Sequence, residues 1–433
     1  MIRTFSAISI VALSGALAGP SASAQVPTQD SLTKTKDFNA SKMRERVFDG
    51  EATTVEVELD AGVVMRDSAF SGDASTLFDI QAGFEFEAIS ESGHRWGFDA
   101  SVRAERDSGR TAWGGRVGDC PPITADCATV LNGVLSHPVR SYASGYYSAG
   151  SVSDDQTQIA IATAYLFSHT GWGEWRVGYG PGAADLDIVS GPTAFRLVRA
   201  DGGRVDLTGL SGARTRHLTS GVSPKILFQS IALGQASTIG TVQVSASFTP
   251  QARDCGVDVC LEEYGAAGLL TPLADSVWEL AARYEMRRGA HTFAISGGVS
   301  HGEEATGRAG FSDIVARDLG LSWASGAWSA GARWFRSNNA VTQDGEYEAW
   351  SASAGFEAGP WLSVIEYAGF SDDLIHVDGR TVQVSASRLI GGHWVLGGGV
   401  QNSIRQDPVV TATGRQGFEL DHTSIFAEVG WRF

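Results

Sequence analysis

The chain has 433 residues and carries 49 Asp and Glu against 33 Lys and Arg, a formal net charge of −16. That balance argues against nucleic acid as a partner, because neutralising phosphates requires a basic face. No segment after the N-terminal leader has 18 consecutive apolar residues, which excludes helical membrane spans. A mean hydropathy of −0.05 fits a soluble protein or a transmembrane β-barrel, and composition alone does not separate them. Residue choice leans toward the barrel. Gly (53) and Trp (12) are abundant, and the lysines are only Lys34, Lys36, Lys42 and Lys225, so arginine carries almost all the positive charge.

Residues 1–24 read as an export signal. Arg3 gives a positive start, Ala7 to Ala18 is mostly apolar, and Ala22-Ser23-Ala24 supplies the A-x-A cleavage pattern. The apolar run is too short to span a bilayer of about 30 Å. Residues 25–52 form a polar extension, with a short helix expected over Ser41–Arg46.

From residue 53 the dominant signal is period-two alternation, the mark of a strand whose faces meet different surroundings. Phe78, Ile80, Ala82, Phe84 and Phe86 alternate with Asp79, Gln81, Glu85 and Glu87. Trp96, Phe98, Ala100 and Val102 alternate with Arg95, Asp99, Ser101 and Arg103. Sixteen strands follow in chain order: 53–66, 77–90, 95–106, 156–169, 174–180, 223–230, 240–250, 276–288, 291–302, 311–323, 327–337, 345–357, 361–370, 379–389, 393–404 and 422–433. Segments 156–169 and 223–230 alternate poorly, and Arg388 falls on the apolar face of its strand. Eleven residues tilted by about 45° rise roughly 25 Å, the height of an outer-membrane apolar band.

The links sort by parity. Those after even strands are short, as at Glu91–His94, Thr170–Gly173, Gly289–Ala290, Ala324–Gly326, Ala358–Pro360 and Ile390–Gly392. Those after odd strands are longer, as at 107–155, 181–222, 251–275 and 405–421. A β-sandwich has no reason to sort its links this way. The pattern is that of an all-β, 16-stranded antiparallel transmembrane barrel, residues 53–433, with short periplasmic turns and long external loops.

Cys120/Cys127 and Cys255/Cys260 are close pairs in an exported chain and read as two local disulfides. A zinc site would show C-x-x-C spacing or clustered histidines, and neither occurs. His137, His217, His301 and His376 are the loop or rim histidines that an enzyme could use. No G-x-S-x-G elbow accompanies them, so no catalytic residue is assigned. Gly182-x-x-Asp185-x-Asp187 lacks the spacing of an EF-hand. Weak Ca²⁺ binding by loop carboxylates stays open, and no other cofactor is implied.

The terminal pattern Ala427, Val429, Trp431, Phe433 resembles the signal read by the outer-membrane assembly machinery. Gly173-Glu-Trp-Arg-Val-Gly-Tyr-Gly-Pro-Gly-Ala-Ala-Asp-Leu186 resembles the fifth strand and third loop of the Gram-negative trimeric porins, in their alphaproteobacterial branch. Ser223–Phe228 and Gly240–Pro250 resemble the next hairpin, with Phe248 where the family has tyrosine. The resemblance implies a homotrimer in outer-membrane lipid and lipopolysaccharide. It also implies passive diffusion of small hydrophilic solutes and a constriction formed by the third loop, here 181–222. In that constriction the strand phases lead us to expect Asp185 and Asp187 to face Arg103 and Arg176 on the wall, and the net acidic chain predicts a weak preference for cations. A substrate-specific channel and an adhesin or structural barrel are the rivals. The extension 25–52 and the length of loop 107–155 depart from the family.

Overall fold

The computed structural model describes residues 43–48, 51–66, 75–90, 93–106, 130–131, 134–135, 141–146, 158–235, 239–252, 272–307, 310–342, 345–411 and 414–432. Sixteen of its strands form a ring: β1 (Glu51–Arg66), β2 (Ser75–Ile89), β3 (Arg95–Arg106), β4 (Gln158–Thr170), β5 (Gly173–Gly180), β6 (Ser223–Ser230), β7 (Gly240–Ala252) and β8 (Ala274–Arg288). β9 (His291–Glu304), β10 (Ile314–Ser325), β11 (Trp328–Ser337), β12 (Tyr347–Ala358), β13 (Trp361–Asp372), β14 (Val377–Ile390), β15 (Trp394–Thr411) and β16 (Gly414–Arg432) complete it. Each strand is antiparallel to the next, and β16 closes on β1 from Asp60↔Arg432 to Arg66↔Phe426. Closure leaves no ladder edge to satisfy in lipid.

Alternation places Val63, Ile80, Phe84, Val102, Leu166, Val177, Leu319, Ile365 and Ile425 outward, where they stay exposed. Cross-strand aromatic pairs sit near the short links: Phe86–Trp96, Trp175–Phe228, Trp328–Phe356 and Trp394–Trp431, with centroids 6.0, 4.8, 4.6 and 6.1 Å apart. Phe248–Trp278 and Trp350–Tyr367 form similar pairs nearer the other rim. Two such girdles bracket an apolar band. Arg388 does point outward. Its guanidinium lies 5.6 Å from the Trp361 ring centroid, a cation–π contact within the girdle that suits a snorkelling arginine.

The structure corrects several expectations. Residues 43–48 form a strand, not a helix, pairing with the start of β1 from Met43↔Val55 to Phe48↔Glu51. Ladder pairing overrides the helical propensity of Met-Arg-Glu-Arg. The loop expected over 405–421 belongs to β15 and β16, which stay paired to Thr411↔Gly414. Charges there read as loop, yet Arg405 and Asp407 are on the inward face and buried, where a polar interior accepts them. The links after odd strands β13 (373–376) and β15 (412–413) are therefore short, and the link after even strand β6 (231–239) is long, so the sorting by parity is incomplete. Strand β10 begins at Ile314, three residues later than expected, while Phe311 makes only an isolated bridge to Val341.

The poor alternation of β4 has a local cause. Its ladder with β3 shifts between Ser101↔Thr163 and Val102↔Ile161, so Ala162 is an extra residue. The bulge flips the phase: Ile159 and Ile161 are outward before it, Leu166 after it. In β6, Pro224, Ile226 and Phe228 face out, while Lys225, Leu227 and Gln229 face in.

Candidate functional site

Residues 181–222 leave β5, form one short helix, α1 (Ala183–Leu186), and otherwise run without regular structure. Their backbone polar groups are satisfied by inward-facing side chains of the wall, which places the segment inside the barrel. Ala183 N–H donates to Ser247 (β7), Ala184 N–H to Glu279 (β8) and Val189 N–H to Ser296 (β9). Leu197 and Val198 N–H donate to Glu428 (β16), and Ala200 N–H to Glu366 (β13). Gln383 (β14) donates to Val198 O and Gln401 (β15) to Arg199 O. Arg333 (β11) donates to Thr215 O, and Ser351 (β12) to Asp201. A loop in the interior is costly unless its amides find partners, and here the strands supply them.

Glu279 joins the two feet of the loop. Its carboxylate accepts Ala184 N–H at 3.2 Å and Ser220 N–H at 3.1 Å. At the far end Asp206 accepts the N–H groups of Thr208, Gly209 and Ser211 at 3.1, 2.9 and 3.2 Å. Burial pushes its carboxyl above the ordinary range, opposed by Arg214 and Arg405. Apolar packing finishes the fit: Phe195, Leu197, Val198, Val205 and Leu207 of the loop cluster with Val64, Leu77, Val364 and Phe426 of the wall.

A second segment, 141–146, reaches the same interior. Tyr142 OH donates to Thr219 O (2.6 Å) and Tyr146 OH to Ser211 O (2.7 Å). Ser144 Oγ donates to Asp372, which also accepts from Asn339 Nδ2. Tyr146 stacks on Phe370 and lies under the Arg405 guanidinium, 5.0 Å from its ring centroid.

Two sides of the interior result. The inward residues of β9–β14 are sealed: Ser296, Ser300, Asp318, Arg333, Tyr347, Glu366 and Gln383 are all buried. Inward residues of β2–β5 are mixed: Asp79, Ser101, Arg103, Glu105, Tyr165 and Arg176 are buried, while Gln81, Glu85, Asp99, Thr163 and Glu174 keep partial exposure. Among the described residues, the larger group of partly exposed inward side chains is therefore on β2–β5.

The anticipated site residues divide accordingly. Asp185 is held by Arg216 of the same loop, at 3.0 and 2.7 Å. Asp187 accepts from Gln229 (3.0 Å) and from Ser245. Arg103 pairs with Asp79 and, at 2.6 Å, with Glu105. Arg176 pairs with Glu174 and lies 5.9 Å from the Tyr165 ring centroid. Cys120, Cys127, Cys255, Cys260, His137 and Phe433 lie outside the described residues, while Trp431 is in the girdle. His217 is fully buried, its Nδ1 2.5 Å from Asp318 and its Nε2 2.8 Å from Ser300. That serine–histidine–aspartate row is closed off: Ser300 donates to Thr219, Asp318 also holds Arg333, and each of the three is buried. It clamps the returning limb of the loop to β9 and β10. His301 is near Asp313 at a strand end, and His376 occupies a turn with φ 56°.

Glu279, Glu366, Glu428 and Arg333 were missed in the sequence as loop anchors. Their signal was a charge on the inward phase of each strand, but the partner lies 59 to 231 residues away.

A family model described as Gram-negative porin matches residues 7–406. The chain matches no curated protein sequence. Among solved structures it is similar to OmpF of Salmonella typhi in complex with daunomycin (TM-score 0.52, 10% identity, covering 90% of this chain and 100% of that one). It is similar to OmpT of Vibrio cholerae in a trimer form (0.50, 9%, 88% and 99%) and to the outer-membrane channel DcaP of Acinetobacter baumannii (0.50, 10%, 90% and 99%). At these identities the likeness is one of fold. The family match assigns no branch.

Proposed function

The chain belongs to the Gram-negative porin family and is an outer-membrane channel for passive diffusion; from that premise we propose that residues 181–222 are its filter and that it works as a homotrimer passing small hydrophilic solutes and ions. The observation that carries the filter is the run of hydrogen bonds from the loop to inward side chains of β7 through β16. A loop held so widely narrows the lumen to the side of β2–β5. Solutes are then sorted by width and by the fixed charges there, which include Asp185, Asp187, Arg103 and Arg176. Deleting most of 186–215 should raise single-channel conductance in planar bilayers and weaken ion selectivity. Unchanged conductance together with unchanged selectivity would overturn the reading. The trimer rests on the family and on the trimer form of OmpT. Light scattering in mild detergent checks it, and a stable conducting monomer would count against it.

A further inference from the structure

The charges beside the open passage do not follow the net charge of the chain. Within 181–222 five arginines (Arg196, Arg199, Arg204, Arg214, Arg216) stand against four aspartates (Asp185, Asp187, Asp201, Asp206). On the wall, Asp79 of β2 is the focus of three guanidiniums: Arg103 of β3, Arg196 at 2.8 Å and Arg204 at 2.7 Å. Arg204 also reaches Gln81, one of the partly exposed wall residues. With Glu105 on Arg103 and Glu428 beside Arg196, three carboxylates meet three cations, so the cluster is balanced in number.

The order of the charges matters more than their sum. The Asp79 side chain is 0% exposed, while those of Arg196 and Arg204 are 18% and 24% exposed. Asp185 and Arg216 repeat the asymmetry at 3% and 45%. In each pair the acid is the anchor behind and the guanidinium stands in front, toward water. Coulomb attraction falls with distance, so an ion in the passage feels the nearer arginine more than the carboxylate behind it. A guanidinium also offers a planar fork of donors that matches oxyanions.

We propose that Arg196, Arg204 and Arg216 form an anion-attracting ladder on the permeation path, suited to solutes bearing a carboxylate or phosphate group, so that the pore favours anions in a chain of net charge −16. This rests on the reading of 181–222 as the filter. The test is the reversal potential of the full-length protein in bilayers under a potassium chloride gradient, with block by inorganic phosphate as a second readout. Wild type should pass chloride over potassium, and Arg196→Gln/Arg204→Gln should lower that ratio by roughly threefold or more. Phosphate block should weaken with it. Arg196→Lys/Arg204→Lys, which keeps the charge, should restore most of the preference, a rescue that a purely structural role would not give. Should the double variant fail to refold, Arg216→Gln alone should shift the ratio in the same direction. A wild type that prefers potassium, or glutamine variants with unchanged reversal potential, overturns the ladder. If those variants have no effect while deletion within 186–215 alters selectivity, the ladder fails and the filter stands. If the deletion has no effect either, the filter itself fails.

Discussion

The inward faces of β2–β5 and of β9–β14 are both polar in sequence, yet the first keeps several partly exposed side chains and the second is almost wholly covered by the loop. On the sealed side Glu366, Gln383, Arg333 and Asp318 spend their hydrogen bonds on the loop, and Tyr146, Ala200, Ala213, Phe335, Tyr347 and Phe370 form an apolar cluster above them. On the open side the wall charges pair among themselves or with loop arginines that keep some exposure. A polar inward face thus has two uses: to hydrate a passage, or to bind a segment that fills it. Which use applies is decided by the loop, not by the strand.

The sharpest way to break this contrast is to remove one cation from each side. Arg333 is buried and holds both Thr215 O (2.7 Å) and Asp318 (3.0 Å). Arg333→Ala leaves a buried carboxylate without its cation and should cost about 3–5 kcal/mol. Arg216 is nearly half exposed but its partner Asp185 is buried, so replacing it by alanine should cost about 1–3 kcal/mol, less than at Arg333. Urea unfolding in lipid vesicles would measure both. Equal shifts would mean that the two sides do not differ.

The next effect concerns inside against outside. The bulge at Ala162 makes Ile161 outward and Ala160, the ladder partner of Arg103, inward. Ile161→Lys should then cost up to about 2–4 kcal/mol, falling toward the interface, whereas Ala160→Lys should stay within about 0.5 kcal/mol. The same urea experiment tests it, and a reversed order would place the bulge elsewhere.

That bulge also marks where the sequence ceased to be legible. Sixteen strands, their phases and most of their ends follow from alternation, because a spanning strand has to satisfy lipid on one face. A single inserted residue cancels the signal over 156–169, since both phases are then present in one window. The hairpin ending at Thr411↔Gly414 was read as loop because Arg405 and Asp407 look like surface charges until Gly209 O and Tyr146 are known to cover the arginine. The site was less legible still. Asp185 was visible as a loop acid, but its partner is Arg216 and not a wall arginine, a pairing set by how the loop returns on itself. Arg196 and Arg204 stood in plain view, yet nothing local to them names Asp79, more than a hundred residues away.

The smallest expected effect is the most discriminating for the idea that ions avoid the sealed side. The Tyr146 hydroxyl donates to Ser211 O at 2.7 Å, and its ring packs on Phe370 and under Arg405. Tyr146→Phe keeps the ring and removes the bond. The loss should be about 0.5–1.5 kcal/mol, the usual net value of a neutral hydrogen bond. Because segment 141–146 meets the loop above β10–β14, away from the partly exposed residues of β2–β5, mean conductance and reversal potential should stay at their wild-type values. The bond does hold Ser211, five residues from Arg216, so brief closures or noise could change without any change in the mean. A shift in selectivity comparable with that of Arg196→Gln/Arg204→Gln would show that ions also pass beneath Tyr146, and the division of the interior into a wet and a sealed half would have to be abandoned.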